Sequence, residues 1–165
     1  MFTAKRQIIK LAALAALLVG TASLSAAGTD WKLDRVNSYV RFIADSRLGE
    51  ASGAFHDWTS DITETEDLVG TKGKIVVKVE SIDTQNTRRD DHLRNQDFFH
   101  VEKHPEAIFE IKTIEPVGSR LRVTGSMTIK DVTKTETILF SKRERDETLE
   151  LKGNLLLSRS AYGIT

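Results

Sequence analysis

The sequence predicts an all-β domain with one short helical insertion. Apolar and polar residues alternate along most of the chain, which places successive side chains on opposite faces of a strand. A glycine interrupts one of these stretches, as in sheets that bend, and no stretch beyond residue 27 keeps helical periodicity. Roughly seven strands with one apolar face each leave a sandwich or a barrel as the economical architecture.

The first part of the domain contains three of the predicted strands. Residues 36–44 alternate, and residues 49–58 form a second strand that Gly53 would bend. The acidic stretch 61–70 is predicted to be an exposed loop, and residues 74–81 return to alternation.

A polar helical turn is predicted at residues 88–95. Thr87 and Asp90 have the spacing of a capping box, and Asp90 and Arg94 have the acid-before-base spacing that stabilises a helix. This helix interrupts the β-rich chain where charged and aromatic residues are most concentrated.

Four further strands are predicted after the helix. Pro105 favours extended geometry before the strand at 107–114, and residues 121–129 have the clearest two-faced pattern in the chain. Residues 135–145 and 148–157 predict an antiparallel hairpin.

The first 27 residues are predicted to be a secretory signal peptide. Three basic residues precede the apolar run 11–19, and the small residues Ser25, Ala26 and Ala27 follow it. The apolar run is shorter than the roughly 20 residues that a membrane-spanning helix needs. Cleavage after Ala27 would leave one domain of 138 residues, 28–165, which is long enough to form its own core.

The charge and the cysteine content of this domain exclude some classes of protein. It carries 21 basic and 24 acidic residues, a net charge of −3, because three of the 24 basic residues precede position 28. That balance argues against a nucleic-acid-binding protein. The chain has no cysteine, so an exported domain must depend on its core instead of disulfides. The expected location is the periplasm, with full secretion as the alternative.

Several separated motifs resemble those of the YceI-like family of exported lipid-binding proteins. They are WKLDRVNSYVRF at 31–42, GAFHDW at 53–58, SIDT at 81–84, RDDHL at 89–93, DFF at 97–99, HPEAIFE at 104–110, GSMTIKDVT at 125–133 and SRSAYGI at 158–164. The resemblance implies a lipocalin-like antiparallel β-barrel of about eight strands. It also implies an apolar interior that binds a long-chain isoprenoid or similar amphiphilic lipid, such as a polyprenyl phosphate or a quinone, without a cofactor.

The apolar face of the predicted strands and the resemblance together suggest which residues bind the lipid. The side chains expected to contact its tail are Phe42, Phe55, Leu93, Phe98, Phe99, Phe109, Met127 and Phe140. The polar groups expected near the mouth are Arg89, Asp90 and His92. On the strand pattern alone, large apolar side chains fill a core more readily than they line a cavity, so both interpretations stay open.

The chain departs from the family pattern in two places. His100 and His104 stand where an aspartate and a tyrosine are more usual. The sequence also stops at Thr165, where family members continue through a loop and one further strand. A barrel without that strand would expose an unpaired edge, which predicts either a truncated sequence or closure by a partner, including a homodimer. Truncation is the favoured interpretation.

The charged cluster and the histidines also have structural explanations. Arg88, Arg89 and Arg94 suit an anionic head group, but neighbouring aspartates could instead neutralise them and hold the loop, which is favoured. The four histidines lack a recognised metal-binding spacing, so no metal site is predicted. The chain also lacks a cysteine nucleophile and a G-x-S-x-G motif, and no catalytic residue is assigned.

Three functional hypotheses follow. The leading one is a non-catalytic periplasmic carrier that holds a long-chain isoprenoid or similar lipid inside the barrel. The main alternative is a packed β-domain that acts as an adhesion or stress-response interaction module and binds no lipid. The third is a small hydrolase that uses His92.

Overall fold

The computed structural model describes residues 7–14, 31–46, 49–63, 68–145 and 148–164. These residues form eleven strands and one α-helix. The strands are β1 (Gln7–Leu14), β2 (Trp31–Leu33), β3 (Tyr39–Ser46), β4 (Gly49–Phe55), β5 (Trp58–Thr63), β6 (Lys72–Lys78), β7 (Ile82–Asp83), β8 (Glu106–Val117), β9 (Arg120–Ile129), β10 (Val132–Arg145) and β11 (Thr148–Asn154). The helix is α1 (Thr87–Arg94), and 3-10 turns lie at Val79–Ser81 and Ser160–Tyr162.

All eleven strands belong to one curled sheet. Its order is β5-β6-β8-β9-β10-β11-β1-β3-β4-β7, with β2 beside β1. Neighbouring strands are antiparallel except at β1, which runs parallel to β2, β3 and β11. The run from β8 to β11 consists of consecutive hairpins, so its short turns set the register. The predicted all-β fold is confirmed: a lipocalin-like antiparallel half-barrel with one short helix.

The first predicted strands need two corrections. The stretch 49–58 divides into β4 and β5, and β5 runs on to Thr63, inside the region predicted to be a loop. Trp58 is buried while Thr59 and Asp61 are exposed, so β5 is a half-buried edge strand whose polar face mimics a loop in the sequence. The strand predicted at 74–81 is β6, which ends where Val79–Ser81 turns.

The last two predicted strands also differ at their ends. β10 begins at Val132, because the turn from β9 needs only Lys130 and Asp131. β11 ends at Asn154, three residues before the predicted end at Leu157. Three consecutive leucines break the alternation that a half-buried strand requires, and the chain leaves the sheet there.

The packed core lies between the curled faces of the sheet. In β9 the buried residues alternate strictly with less buried ones, as the sequence predicts. Phe109 and Phe140 are 0% and 1% exposed. Their rings cover glycines of neighbouring strands: a Cβ added to Gly125 would lie 2.5 Å from Phe109 Cζ, and one added to Gly153 would lie 2.6 Å from Phe140 Cε1. These glycines let the aromatic rings lie against the backbone of the sheet.

Strand β1 belongs to the segment predicted to be a signal peptide. It lies between β11 and β3, with Leu11 paired to Leu151 and Ala13 paired to Val40. In this structure β1 therefore occupies the edge of β11. Cleavage of the segment stays a prediction, and most of residues 1–27 lie outside the described residues. Among the described residues, no helix is long and apolar enough to cross a membrane.

Candidate functional site

An apolar cavity lies at the end of the barrel where β3 begins and β9 ends. Its volume is about 350 Å³. Of the nineteen described residues that border it, sixteen are apolar and none is acidic. They are Val40, Arg41, Phe42, Ile43, Ala44, Phe55, Val77, Leu93, Phe98, Phe99, Ala107, Met127, Ile129, Leu155, Leu156, Leu157, Arg159, Tyr162 and Ile164. Such a volume and lining are typical of a small-molecule site.

Three phenylalanines from different elements form one side of the cavity. The ring centroids of Phe42 and Phe55, on paired strands, are 5.5 Å apart. Phe99 meets Phe55 edge-on at 6.3 Å. Tilted and edge-on contacts at these distances are favourable, so the rings support one another while all three residues border the cavity.

Helix α1 brings Leu93 to the cavity. Its N-cap is Asn86, whose side chain accepts a hydrogen bond from the backbone N–H of Arg89 at 3.1 Å. The predicted capping box of Thr87 and Asp90 is therefore wrong, because Thr87 is not the N-cap and the Asp90 carboxylate accepts hydrogen bonds from Thr84, which precedes the helix. The predicted pairing of Asp90 with Arg94 is also absent among the described contacts, since Arg94 pairs with Asp91 at 3.1 Å.

The loop after α1 holds Phe98 and Phe99 by its own backbone. The N–H of Phe99 donates to the carbonyl of Leu93 at 3.1 Å, and the N–H of Phe98 donates to the carbonyl of Asn95 at 3.0 Å. His100 follows with a φ of 51°, a left-handed conformation that turns the chain back. The N–H of Val101 then donates to the carbonyl of Arg94 at 3.0 Å. The aromatic pair is thus positioned by a compact turn.

The polar residues of α1 form a brace beside the cavity. Asp90 is only 6% exposed, and its Oδ1 accepts from the N–H of Thr84 at 2.9 Å and from the Thr84 hydroxyl at 2.6 Å. Arg89 donates from Nε to Thr84 Oγ1 at 2.8 Å and from Nη2 to the Thr84 carbonyl at 2.9 Å. A buried carboxylate needs such donors, so this network ties the helix to the preceding strand.

Arg94 makes a second attachment of the same kind. It donates from Nε to the carbonyl of Glu80 and from Nη2 to the carbonyl of Ile82, at 2.9 and 2.8 Å. Arg89 and Arg94 therefore hold the loop, as the structural explanation predicts, but their main acceptors are Thr84 and backbone carbonyls, and a contact of any of the three arginines with a head group stays a prediction. Asp97 appears in no described contact with them.

Six of the eight side chains predicted to contact a lipid tail border the cavity: Phe42, Phe55, Leu93, Phe98, Phe99 and Met127. Phe109 and Phe140 do not, because they lie in the packed core over Gly125 and Gly153. Among the predicted polar residues, Arg89, Asp90 and His92 also lie outside the lining. His92 packs edge-on against Phe98, with ring centroids 4.8 Å apart, and so supports a lining residue. Contact of any of these residues with a ligand stays a prediction.

The sequence-based assignment missed the segment that follows β11. Residues 155–164 contribute six lining residues, Leu155, Leu156, Leu157, Arg159, Tyr162 and Ile164. The run of three leucines at 155–157 was the available signal, because consecutive apolar residues break the alternation of a half-buried strand. Lys130 Nζ holds this segment in place by donating to the carbonyl of Gly163 at 2.8 Å.

Tyr162 is the one polar uncharged side chain among the described lining residues. It is buried, and its hydroxyl donates to Glu136 Oε1 at 2.6 Å. Burial raises the pKa of Tyr162 well above its usual range, and the hydrogen bond to Glu136 and that residue's negative charge raise it further. Tyr162 is therefore a neutral anchor between the cavity and β10.

The two histidines that depart from the family pattern, His100 and His104, lie together just after Phe98 and Phe99. The ring centroids of His100 and His104 are 5.8 Å apart, and His104 Nδ1 is 3.5 Å from Asp131 Oδ1. A hydrogen bond from Lys103 at 3.1 Å lowers the pKa of Asp131, and the charges of His104 and Lys103 act in the same direction. Among the described residues, no group of three His, Asp or Glu side chains is placed to hold a metal ion.

Known proteins with similar sequences carry the same domain. The YceI-like domain matches residues 31–165. A UPF0312 protein of Pseudomonas aeruginosa is 33% identical over 132 residues, covering 76% of this chain and 69% of that relative. Protein YceI of Escherichia coli O6:H1 is 31% identical over 121 residues, covering 69% of this chain and 62% of that relative.

Solved structures show the same fold. The crystal structure of Burkholderia cenocepacia BcnA superposes with a TM-score of 0.71 at 24% identity, covering 79% of this chain and 84% of that one. The YCEI protein of Campylobacter jejuni superposes with a TM-score of 0.60 at 23% identity, covering 88% of this chain and 85% of that one. With the domain match over most of its length, the chain belongs to the YceI-like family.

Proposed function

We propose that this protein is a non-catalytic periplasmic carrier for a long-chain isoprenoid or similar amphiphilic lipid, whose tail occupies the apolar cavity. The observation that supports the proposal most directly is the lining itself, with sixteen apolar residues and no acidic one among the nineteen described. A polyprenyl phosphate or a quinone has the required combination of an apolar chain and a polar end.

The cavity has enough apolar surface to hold a lipid without a covalent anchor. Burying a ten-carbon tail contributes about 8 kcal/mol, at about 0.8 kcal/mol per methylene group, before the cost of association. Micromolar affinity corresponds to about 8 kcal/mol of net binding free energy. A tail longer than ten carbons, together with contacts to Phe42, Phe55 and Phe99, would offset that cost.

The size of the cavity suggests how a long chain would be held. At about 350 Å³ it lies near the lower end of the range for small-molecule pockets. Only part of a long isoprenoid would be enclosed, and its polar end would remain toward the open side. The aromatic side of the cavity would then contact the enclosed end of the tail.

Organic extraction of freshly purified protein, followed by mass spectrometry, tests the proposal. We expect a polyprenyl or quinone species in stoichiometric amount. Ala44→Phe should reduce the amount strongly, because Ala44 borders the cavity and a phenylalanine there would fill part of it. Thr135→Phe is the matched control, since Thr135 is exposed on β10 and outside the lining.

Two results would contradict the carrier. One is repeated absence of extractable lipid together with no fluorescence response to apolar dyes. The other is equal lipid content in Ala44→Phe and Thr135→Phe. Either result would favour the packed interaction domain.

A further inference from the structure

Exposed residues of two chain segments mark the mouth of the cavity. Arg41 and Ile43 are two positions apart on β3 and therefore share its exposed face, opposite to the less exposed Val40, Phe42 and Ala44. Leu156 and Arg159 lie in the segment after β11. All four border the cavity and are exposed, with Ile43 at 36% and Leu156 at 97%. We call these four residues the rim.

The apolar part of the rim continues the apolar lining to the surface. Leu156 lies between Leu155, which is buried, and Leu157, which is partly buried, and both of these border the cavity. A single exposed leucine is common on protein surfaces and by itself indicates nothing. Leu156 differs from Leu139, which is 39% exposed on β10, because it stands at the opening of an apolar cavity.

The charged part of the rim is positive. Arg41 and Arg159 are the only charged residues among the described lining residues. Neither makes an ion pair with a described residue, and the Arg41 guanidinium instead lies 4.0 Å from the ring centroid of Tyr39. This positive mouth belongs to a predicted domain whose net charge is −3. Basic residues beside exposed apolar ones are the combination that binds an anionic membrane surface.

We propose that the rim docks the cavity mouth on an anionic lipid bilayer. Leu156 and Ile43 enter the boundary between head groups and acyl chains, and Arg41 and Arg159 contact lipid phosphates. The guanidinium groups remain at the head-group level while their methylene stems cover apolar surface. Docking deepens the proposed carrier function, because the mouth then opens on the membrane that supplies or receives the lipid.

Vesicle flotation tests this docking on the protein as recovered from expressing cells, with its N-terminus determined by mass spectrometry. The probes are vesicles of phosphatidylcholine alone and of phosphatidylcholine mixed with phosphatidylglycerol. We expect flotation with the mixed vesicles, weakened as salt approaches about 1 M, where the screening length falls to about 3 Å. Leu156→Glu should lower the partition coefficient about tenfold, because the side chain no longer enters the apolar layer.

The arginines and the controls sharpen the same experiment. Arg41→Gln and Arg159→Gln should each lower partitioning into mixed vesicles about fivefold, and together they should abolish the preference for phosphatidylglycerol. Leu139→Glu and Arg120→Gln are the matched controls, since both residues are exposed and outside the cavity lining. If the protein binds vesicles through the rim, these two control variants should change the partition coefficient less than about twofold.

Lipid extraction from the same samples separates this proposal from the carrier function. Flotation that depends on the rim, in protein that repeatedly yields no extractable lipid and gives no fluorescence response to apolar dyes, would support docking and contradict the carrier. Lipid-loaded protein that does not float, or that floats equally well in rim and control variants, would overturn docking and leave the carrier intact.

Discussion

Phenylalanines fill the core in one part of the barrel and line the cavity in another. We call the core around Phe109 and Phe140 the packed end and the region of the cavity the cavity end. Phe109 and Phe140 project from strands onto glycines of neighbouring strands, and they are almost fully enclosed. Phe98 and Phe99 project from a loop beside α1, and they remain partly exposed at the cavity. An aromatic residue therefore fills the core where a glycine receives its ring, and it lines a cavity where a loop leaves space opposite.

Phe42 shows that the glycine alone does not decide the outcome. A Cβ added to Gly53 would lie 2.7 Å from Phe42 Cζ, only slightly farther than the distances of 2.5 and 2.6 Å in the packed core. Yet Phe42 borders the cavity, where its ring contacts Phe55, which in turn contacts Phe99. The difference arises from the residues that face each ring, which at the cavity come from strands, from the loop after α1 and from the segment after β11.

The largest predicted effect separates the two ends directly. Phe140→Ala should lower the free energy of unfolding by about 3–5 kcal/mol, because it leaves a cavity in a closely packed core. Phe98→Ala should cost only about 1 kcal/mol, because its ring is already partly exposed. Urea unfolding monitored by tryptophan fluorescence measures both values.

Lipid retention should show the opposite order. The folded fraction of Phe140→Ala should yield as much extractable lipid as the wild type. Phe98→Ala should yield substantially less. Equal costs in stability, or lipid lost only from Phe140→Ala, would show that the two ends are not distinct.

The polar brace supplies the next effect. Asp90→Ala should destabilise the protein by about 3 kcal/mol, because two hydrogen bonds to a buried carboxylate are lost and their donors stay buried. Asp90→Asn should restore part of that loss, since an amide oxygen can still accept from Thr84. The exposed neighbour Asp91, which contacts Arg94, provides the control variant Asp91→Ala. Thermal unfolding of all three variants shows whether the loss of stability depends on the burial of the carboxylate or on its charge alone. Equal losses of stability in Asp90→Ala and Asp91→Ala would contradict the role of Asp90 in the brace.

Gly125→Ala should lower the free energy of unfolding by about 2 kcal/mol, less than Asp90→Ala. The added methyl group would lie 2.5 Å from both the carbonyl oxygen of Glu110 and Phe109 Cζ, so the ring and the strand must move. Ser126→Ala, one position along on the other face, is the control. Chemical denaturation of both variants measures the effect, and an unchanged or increased stability of Gly125→Ala would mean that the packed end has spare volume.

The smallest effect concerns the anchor between the cavity and β10. Tyr162→Phe should cost about 1.5 kcal/mol at neutral pH, since the hydrogen bond to Glu136 is lost. The pKa of Tyr162 is raised in the folded state, so the unfolded chain releases this proton first. The stabilisation by the Tyr162 hydroxyl is therefore complete below about pH 10 and is lost as the pH rises further. The difference in stability between wild type and variant should shrink above that pH, and a difference that grows there would contradict the assignment.

Much of the fold could be predicted because alternation is a local property. β9 follows its sequence pattern residue by residue, and the helix is displaced by only one residue from its predicted position. The predicted capping box failed because the N-cap is Asn86, one residue before Thr87. Asp90 has a better partner in Thr84, which is six residues earlier in the chain and on the far side of a turn.

The sequence by itself determined the β-rich pattern, the short helix, the family motifs and the abundance of apolar side chains. Only the tertiary structure decided which phenylalanines line a cavity, because that depends on the residues that face them from other strands and loops. It also decided that Leu155, Leu156 and Leu157 leave the sheet to border that cavity. Local pattern assigns a residue to a face of a strand, whereas the space in front of that face depends on how the sheet curls.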